Sequence, residues 1–335
     1  MSPSPRNKTP RKPNAKTNAR TPASSATSNG SKTQAPSVRA IVLTPALLRR
    51  WPLPQPNEGG DKEERGRVLV VGGATEMPGA IILAATAALR AGAGKLQIAT
   101  CRSIAQLIAA AVPEARVFSL PETKTGDIAV SAAAQIIEHA NRVQAVLFGP
   151  GMVDEVAITK LMRAVLPRLE YPTVILDAAA LTCAKENEKL LHKLNGKIVL
   201  TPHAGEMANL TGLDKELIAN EPLATVRRTA SALRAVIALK GAETFIAMHG
   251  QHKAYCNRTG NVGLATSGSG DTLSGIITGL AARGAAPLQA AAWGVYLHGR
   301  AGDKLAKSMG QLGFLARELL SEIPALMAEF DKRKK

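Results

Sequence analysis

Residues 268–271, with the sequence Gly-Ser-Gly-Asp, place two glycines and one carboxylate directly before a helical pattern. Gly268 and Gly270 let a ligand approach the backbone closely and tolerate positive φ, because they carry no side chain. Residues 272–282 then predict a helix, since apolar side chains recur there at helical spacing. These apolar residues are Leu273, Ile276, Ile277 and Leu280. Asp271 is therefore expected at or next to the N-terminus of a helix.

The start of this predicted helix has the chemistry of an anion site. Unpaired backbone N–H groups and the positive end of the helix dipole both favour a phosphate there. The N–H groups of a phosphate loop formed by Gly268, Ser269 and Gly270 can donate to phosphate oxygens, and Asp271 can accept the proton of an acceptor hydroxyl. The segment thus indicates phosphoryl transfer. The alternative is that Asp271 only caps the helix, a role that Asp often has.

Short apolar runs alternate with helical patterns from Val68 onward, and most runs end in glycine or a polar residue. This arrangement is typical of a parallel sheet covered by helices on both faces, so the fold class is α/β. A hairpin is predicted within residues 245–255 and a further helix within residues 290–307. Ligands of open α/β sheets bind beyond the carboxyl ends of the strands. The residues expected at that edge are Gly72, Gly73, Gly149, Gly151, Asp177, His203, Lys240 and Gly241.

Each of these edge residues also has a purely structural interpretation. Glycines form turns, Asp177 can cap a helix, His203 can be an ordinary loop residue, and Lys240 can be a solvated charge. Their shared placement at strand ends favours a common site.

Composition limits the class of protein. At 335 residues with 45% apolar content, the chain is long enough for a sizeable core. No apolar run reaches the roughly 18 residues of a membrane span, and the start lacks the apolar centre of a secretory signal, so a cytoplasmic protein without membrane contact is expected. The three cysteines, Cys101, Cys183 and Cys256, are far apart and indicate neither a disulfide framework nor a zinc site.

The net charge of +16 is concentrated unevenly. Residues 1–37 carry Lys and Arg but no acid, are rich in Pro and Ser, and predict a disordered basic tail. Residues 38–330 contain neither linker nor repeat and predict one domain, and residues 331–335 form a basic C-terminal end. A tail without aromatic residues indicates no specific nucleic-acid partner. A basic nucleic-acid or nucleotide-binding protein stays as the non-enzymatic alternative, tested by deleting the tail.

Three common site motifs are missing. The turn after residues 68–71 lacks the Gly-x-Gly-x-x-Gly spacing of dinucleotide-binding folds, and no acid ends the next strand. No Gly-Lys-Ser/Thr follows a strand, and no Gly-x-Ser-x-Gly elbow occurs. These absences argue against a hydride-transfer dehydrogenase, a P-loop enzyme and a serine hydrolase, and the phosphate site at residues 268–271 is left.

The motifs along residues 44–326 resemble those of the ADP-dependent NAD(P)H-hydrate dehydratases, a branch of the ribokinase-like superfamily. The Gly-x-Gly-Asp of residues 268–271 is shared with that superfamily, and the motifs TPHAGE (201–206) and LHGRAGD (297–303) are typical of the branch. Further matching segments are RGRVLVVGG (65–73), PGA (78–80), ALRAGAG (88–94), GPGM (149–152) and LKGAET (239–244). The resemblance implies a ribokinase-like three-layer fold, with a mostly parallel central sheet and helices on both faces.

The resemblance also implies a function, namely the repair of hydrated NADH or NADPH at the expense of ADP, giving AMP and phosphate. It implies a lyase in which Asp271 is the catalytic base. Ala80, Gly151, His203 and Asp271 would contact the hydrated dinucleotide. Lys240, Gly241, Ala242, Glu243, Thr244 and Gly270 would contact the adenylate. Mg2+ would accompany the ADP, although no residue is assigned to a metal.

The resemblance further implies a homo-oligomer, with a tetramer as one arrangement, and a separate epimerase acting on the same substrate pool. Two positions depart from the family pattern. Met77 stands where a tyrosine is common, and the run from Asp177 to Leu181 lacks its second acid, so Asp177 is given no direct catalytic role. A small-molecule kinase of the same fold, acting on a vitamin precursor or a sugar, is the alternative enzyme class.

Overall fold

A ten-stranded sheet forms the centre of the computed structural model, which describes residues 39–56, 59 and 61–331. The strands, numbered along the chain, are β1 (Ile41–Val42), β2 (Arg67–Val71), β3 (Lys95–Cys101), β4 (Ala115–Leu120), β5 (Ala145–Phe148), β6 (Thr173–Leu176), β7 (Ile198–Leu200), β8 (Val236–Leu239), β9 (Thr244–Met248) and β10 (Ala254–Asn257). Their order across the sheet is β1-β10-β9-β8-β7-β6-β5-β2-β3-β4. Only β9 runs antiparallel to its neighbours, β8 and β10, among the strands of the described chain.

Helices connect these strands. They are α1 (Pro45–Arg49), α2 (Pro78–Arg90), α3 (Ala105–Ala111), α4 (Ala133–Ala140), α5 (Glu155–Val165), α6 (Thr182–Glu186), α7 (Glu188–His192), α8 (Ala204–Thr211), α9 (Lys215–Asn220), α10 (Pro222–Leu233), α11 (Ser269–Ala282), α12 (Pro287–Met309) and α13 (Ala316–Ala328). Short 3-10 turns join several of them, for example at Ala178–Leu181. Helices α2, α11, α12 and α13 pack on one another, and α4, α5, α6 and α8 form a second packed series.

The central strands are buried along their whole length. Every residue of β5, β7 and β8 is buried, as expected for parallel strands covered on both faces. The predicted strands and the predicted hairpin over β9 and β10 are therefore confirmed, and so is the mostly parallel sheet. The two edge strands, β1 and β4, and the antiparallel strand β9 are less buried, and the sequence analysis predicted neither edge strand.

Two glycines of α11 let it lie unusually close to α2. A Cβ on Gly275 would lie 2.1 Å from the carbonyl oxygen of Ala84, and one on Gly279 would lie 2.3 Å from that of Ala88. Any larger residue would push the two helices apart, because a core packed at this density cannot absorb the volume. This contact fixes the position of the N-terminus of α11 over the sheet.

The N-terminus of α11 differs from the prediction in one respect. The helix begins at Ser269, three residues before the predicted start at 272, and Gly268 is the N-cap with a φ of 85°. Asp271 therefore lies inside the first turn, and the interpretation of Asp271 as the cap is wrong. The glycine at 268 permits the left-handed conformation that starts the helix early.

The predictions for the chain ends are not tested. The predicted tail of residues 1–37 lies outside the described residues, as do residues 332–335 of the basic C-terminal end. Contacts group the chain from Arg39 onward into one unit. Among the described helices, none has the length and apolar character required to cross a bilayer.

Candidate active site

The loops that follow β2 and β5 are bound to each other by their backbones. The N–H of Gly73 donates to the carbonyl of Pro150 at 2.8 Å, and the N–H of Ala74 donates to that of Gly151 at 2.7 Å. Gly151 has a φ of 70°, and a Cβ on it would lie 2.4 Å from the carbonyl oxygen of Met77 and 3.2 Å from the Cβ of Ala80. Ala80 and Gly151, two expected substrate contacts, thus lie side by side.

A group of charged side chains lies at the ends of β6, β7 and β8. The Nζ of Lys240 is 3.1 Å from Oδ1 of Asp177 and 3.6 Å from Oε2 of Glu206. The hydroxyl of Thr201 donates to the same Oδ1 of Asp177 at 2.7 Å. Burial opposes the charge of Lys240, but the carboxylates of Asp177 and Glu206 outweigh it and raise the pKa of the lysine. Lys240 is therefore charged and held in place, and its interpretation as a solvated charge is wrong.

His203 begins α8 and is tied to the same group. Its Nδ1 accepts hydrogen bonds from the backbone N–H groups of Gly205 and Glu206, while the carboxylate of Glu206 accepts from the N–H of His203 at 2.7 Å. This reciprocal pair is a capping box with histidine in the capping position. The side chain of His203 is still 59% exposed, and its Nε2 lies 3.6 Å from Oε1 of Glu206.

The phosphate loop at the start of α11 lies against the charged group. A Cβ on Gly270 would be 3.5 Å from Nζ of Lys240 and 3.9 Å from Oδ2 of Asp177, so the backbone of the loop faces both side chains. The unpaired N–H groups of the first turn and the ammonium of Lys240 together favour a bound anion.

Asp271 lies in that first turn and is partly buried. Burial raises its pKa to about 7, and the neighbouring carboxylate of Asp177 adds to the rise, while Lys240 acts in the opposite direction. A carboxylate with a pKa near neutrality exchanges protons readily at physiological pH. Asp271 is thus suited to act as a base.

The loop is held from behind by a buried histidine. Oγ of Ser269 and Nε2 of His298 are 3.0 Å apart, and His298 lies on α12. Burial lowers the pKa of His298 to about 4, so the ring is neutral at physiological pH. The pair fixes the orientation of Ser269 without adding a charge to the site.

The remaining expected nucleotide contacts lie in the turn between β8 and β9. Gly241, Ala242 and Glu243 are exposed, and Thr244 begins β9. Glu243 forms an ion pair with Arg258, with Oε1 and Nε 2.7 Å apart. This turn therefore offers an open surface next to Lys240.

Comparison with known proteins identifies the family. A family model described as NAD(P)H-hydrate dehydratase matches residues 68–325. The chain belongs to the NAD(P)H-hydrate dehydratase family. It is 46% identical over 290 residues to the ADP-dependent (S)-NAD(P)H-hydrate dehydratase of Xanthomonas campestris, with 86% of this chain and 96% of that protein covered. It is 42% identical over 291 residues to the bifunctional NAD(P)H-hydrate repair enzyme Nnr of Moorella thermoacetica, covering 87% of this chain but 54% of that protein.

Solved structures agree with this membership. The ADP/ATP-dependent NAD(P)H-hydrate dehydratase of Bacillus subtilis, co-crystallised with ATP and Mg2+, matches with a TM-score of 0.71 at 29% identity over 87% of this chain and 99% of that one. A ribokinase-like superfamily protein of Enterococcus faecalis matches with a TM-score of 0.75 at 27% identity over 87% of this chain and 96% of that one. The ribokinase-like fold predicted for this dehydratase-family chain is confirmed.

The site of this dehydratase-family chain contains polar groups that the sequence interpretation did not assign. Asp177 stands at the N-cap position of the 3-10 turn Ala178–Leu181, as its interpretation as a cap expects, but its side chain makes no capping hydrogen bond and instead joins Lys240 to Thr201. Glu206 joins Lys240 to His203. Their position in the sequence could have revealed two of these residues, because Asp177 and Thr201 directly follow the neighbouring strands β6 and β7.

The carboxylates of the site determine whether Mg2+ can bind there. No group of three or more His, Cys, Asp or Glu side chains in the described part of the chain could by itself hold a metal ion. Mg2+ in nucleotide enzymes is commonly bound by one or two carboxylates, with phosphate oxygens and water completing its shell. Asp271 and the Oδ2 of Asp177, which faces Gly270, meet this smaller requirement. The site therefore fits an ion that arrives on nucleotide phosphates.

Proposed function

We propose that this protein dehydrates the (6S)-hydrates of NADH and NADPH with ADP as the phosphoryl donor, releasing AMP and phosphate. The observation that carries the proposal is the placement of Asp271, with a pKa of about 7, in the first turn of α11 beside Lys240 and Asp177. This placement combines a base whose pKa lies near physiological pH with an anion site for the transferred phosphate.

The reaction takes place in two chemical stages. The ring hydroxyl attacks the β-phosphorus of ADP as Asp271 accepts its proton, and the bond from that phosphorus to the bridging oxygen breaks and releases AMP. The carbon–oxygen bond then breaks and phosphate leaves with the bonding electron pair, while the adjacent carbon loses a proton to water and the electrons of that C–H bond form the double bond of the dihydronicotinamide. Hydroxide is a poor leaving group, so phosphorylation makes this elimination feasible. The sum is one hydrate and one ADP converted into NAD(P)H, AMP and phosphate.

The chain provides separate groups for each ligand. Ala80, Gly151 and His203 are proposed to contact the hydrated dinucleotide around Asp271. Lys240 and the turn at 241–244 are proposed to contact the adenylate, with Gly270 at the boundary. The N–H groups of the loop 268–270 would stabilise the equatorial phosphate oxygens, because donors fixed in advance need no reorganisation during reaction.

Further components complete this proposal. Mg2+ would be held by Asp177, Asp271 and the donor phosphates, where it would neutralise phosphate charge. ATP is a second candidate donor, since the relative from Bacillus subtilis is described as ADP/ATP-dependent. A homo-oligomer and a separate epimerase acting on the same hydrates are also proposed; the bifunctional relative is about twice as long as the matching region.

The test is recovery of the reduced ring. Purified full-length protein is incubated with (6S)-hydrated NADPH and Mg2+, and the near-ultraviolet absorbance of dihydronicotinamide is followed with ADP, with ATP and without nucleotide. The proposal expects recovery only when nucleotide is present. Absence of recovery with both nucleotides would refute it, and formation of a stable phosphorylated vitamin precursor or sugar alcohol would favour a kinase of the same fold.

A further inference from the structure

Two loops carry or adjoin the residues expected to contact the hydrated dinucleotide. The loop of residues 72–77 follows β2 and leads to Ala80 on α2, and the loop of residues 149–154 follows β5 and contains Gly151. Both are bonded to a third loop, residues 121–129, which follows β4 and contributes no residue to the proposed site. This third loop carries a carboxylate outside the charged group.

That carboxylate, Asp127, binds the loop after β5. The residue is 1% exposed. Its Oδ2 accepts hydrogen bonds from the N–H groups of Val153 and Asp154, both at 2.7 Å. Its Oδ1 accepts one from the N–H of Ile128 at 3.0 Å. Among the residues that the structure describes it forms no ion pair, so these backbone donors compensate its buried charge. The carboxylate and the segment at 153–154 therefore hold each other in place.

Gly126, the residue before Asp127, binds the loop after β2. Its carbonyl oxygen accepts the N–H of Thr75 at 3.0 Å. The thiol of Cys101 lies 3.3 Å from the same carbonyl oxygen and 3.3 Å from that of Gly73. Burial raises the pKa of Cys101 to about 12, and the carboxylate of Asp127 adds to the rise, so the thiol keeps the proton that it donates. The third loop is thus bonded to both of the others.

These bonds join loops from strands that are not neighbours. β4 is an edge strand, and β3 and β2 separate it from β5. Residues 126–127 therefore reach across the end of β3, where Cys101 is the last residue, to both loops. The two loops are also bonded to each other, for example from the N–H of Ala74 to the carbonyl of Gly151. The hydrogen bonds form a closed set, so a displacement of any one loop breaks bonds to the other two.

The third loop is also ordered by its own hydrogen bonds. The N–H of Thr123 donates to the carbonyl of Asp127 at 2.7 Å, and the N–H of Asp127 donates to Oγ1 of Thr123 at 3.1 Å. Glu122 and Ile128 form an antiparallel bridge across the same loop. The carboxylate is therefore held in position by contacts separate from those that it makes to the loop after β5, as a group that supports a site must be.

We propose that Asp127 is a positioning residue for the hydrated dinucleotide. It acts through the 149–154 loop, in which it fixes the position of Gly151 relative to Ala80 and to the reacting ring. The proposal rests on the proposed function, because that function assigns Ala80 and Gly151 to the substrate. The proposed ADP contacts at 241–244 join β8 and β9, on the other half of the sheet, so ADP binding should not depend on Asp127.

The test compares three variants of the full chain. Asp127→Ala removes both acceptor oxygens, and Asp127→Asn keeps one oxygen and places an amide N–H group where the other was. Asp154→Asn is the matched control, because it neutralises a carboxylate in the same region by the same substitution. The Oδ1 of Asp154 accepts the N–H groups of Val156 and Ala157 at the start of α5, a capping role that asparagine fills equally well.

Three properties are measured for each protein. kcat and KM are determined for hydrated NADPH and for ADP, and the Kd for NADPH is determined by calorimetry. Backbone amide exchange is followed by mass spectrometry in peptides that cover residues 72–80, residues 149–157 and α11. The exchange separates a local displacement of the two loops from a general loss of stability, which would accelerate exchange throughout the chain.

The proposal expects a loss that is graded and specific to the dinucleotide. kcat/KM for hydrated NADPH should fall about 100-fold in Asp127→Ala, the cost of a displacement of about 1 Å, and on the order of tenfold in Asp127→Asn. The Kd for NADPH should rise in the same order, while the KM for ADP should stay within about twofold of wild type. Exchange should accelerate in the two loops but not in α11. Asp154→Asn should match wild type. If Asp127→Ala does not fold, the contrast between Asp127→Asn and Asp154→Asn decides.

Other results would overturn it. Asp127→Asn indistinguishable from Asp154→Asn, equal losses for ADP and hydrated NADPH, or exchange as fast in α11 as in the loops would each show that Asp127 does not position the dinucleotide. The calorimetry separates this proposal from the proposed function, because NADPH binding needs no turnover. If the wild-type protein regenerates no NADPH but binds it with an affinity that depends on Asp127, the positioning role is supported and the reaction is refuted.

Discussion

The proposed site is built from two regions that work in different ways. The charged region contains Asp177, Glu206, Lys240 and Asp271; the two neighbouring carboxylates raise the pKa of Lys240, and Asp177 adds to the raised pKa of Asp271. The glycine region contains Gly73, Gly151 and the neighbouring Ala80, and its shape comes from backbone hydrogen bonds and from the absence of side chains. Replacing a charged side chain by a neutral one of similar size should therefore disturb the charged region. Adding a methyl group to a glycine should disturb the glycine region without changing any charge.

The largest expected effect is on the reacting carboxylate. Asp271→Asn keeps the size of the side chain but removes the base, so kcat should fall by about 100- to 10,000-fold, the usual contribution of a general base. The measurement is kcat with hydrated NADPH and saturating ADP, with circular dichroism as the check on folding. A rate within threefold of wild type would remove Asp271 from the reaction.

The second prediction concerns the pH at which the charged region becomes active. The rate should rise as Asp271 loses its proton, with a midpoint close to its pKa of about 7. Lys240 lowers that pKa, so Lys240→Met should move the midpoint of the pH profile upward. It should also reduce kcat by roughly 100-fold or more, because a cation beside the transferred phosphate is lost. A pH profile of kcat that keeps its midpoint would contradict the coupling.

The glycine region should respond to volume instead. Gly151→Ala adds a Cβ 2.4 Å from the carbonyl of Met77 in a left-handed conformation, so the loop must move. A displacement of about 1 Å can cost on the order of 100-fold in kcat/KM. The midpoint of the pH profile should stay unchanged. Gly79→Ala is the matched control, because a Cβ there has no neighbour within 4 Å and should have little effect.

The smallest expected effect is on stability, and it again separates the two regions. The folded-state pKa of Asp271, about 7, lies above its ordinary value of 3.8. Below about pH 4 both the folded and the unfolded chain hold the proton, and the carboxyl costs nothing. As the pH rises from about 4 to about 7, the unfolded chain releases the proton while the folded chain still holds it, so the free energy of unfolding falls. Above about pH 7 both states have released the proton and this penalty stays constant.

Asp271→Asn should therefore raise the free energy of unfolding by on the order of 1–3 kcal/mol at pH 8 and by progressively less toward pH 4. Denaturant titrations at several pH values measure this difference. Gly151→Ala should instead lower stability by a similar amount at every pH, because added volume does not titrate. A benefit of Asp271→Asn that did not depend on pH would show that ionisation is not its cause.

The sequence predicted the elements of the fold well because their patterns are local. The continuous apolar runs of β5 and β8 are typical of buried strands, and the spacing of the apolar residues from Leu273 to Leu280 is typical of a helix face. The edge strand β4 gave no such run. The early start of α11 was also missed, because the helical apolar pattern begins only at Leu273, whereas the left-handed Gly268, where a Cβ would meet Leu83, starts the helix.

The site could be predicted only in part. The motif with Asp271 and the strand-end position of Lys240 were evident, since glycine spacing and strand ends are visible along the chain. The ion pairs of Lys240 with Asp177 and Glu206 join residues on three different strand ends, and their distances depend on the registration of the whole sheet. The same dependence hid the contact of Ser269 with His298, which lie 29 residues apart.

The most direct test of the central claim is the stoichiometry of a single reaction mixture. Purified protein is given hydrated NADPH, ADP and Mg2+, and the amounts of AMP, phosphate and NADPH formed are measured in the same sample over time. The account predicts equal amounts of all three, at a rate that Asp271→Asn lowers by about 100- to 10,000-fold. NADPH formed without AMP, or AMP formed with a stable phosphorylated dinucleotide and no NADPH, would contradict it.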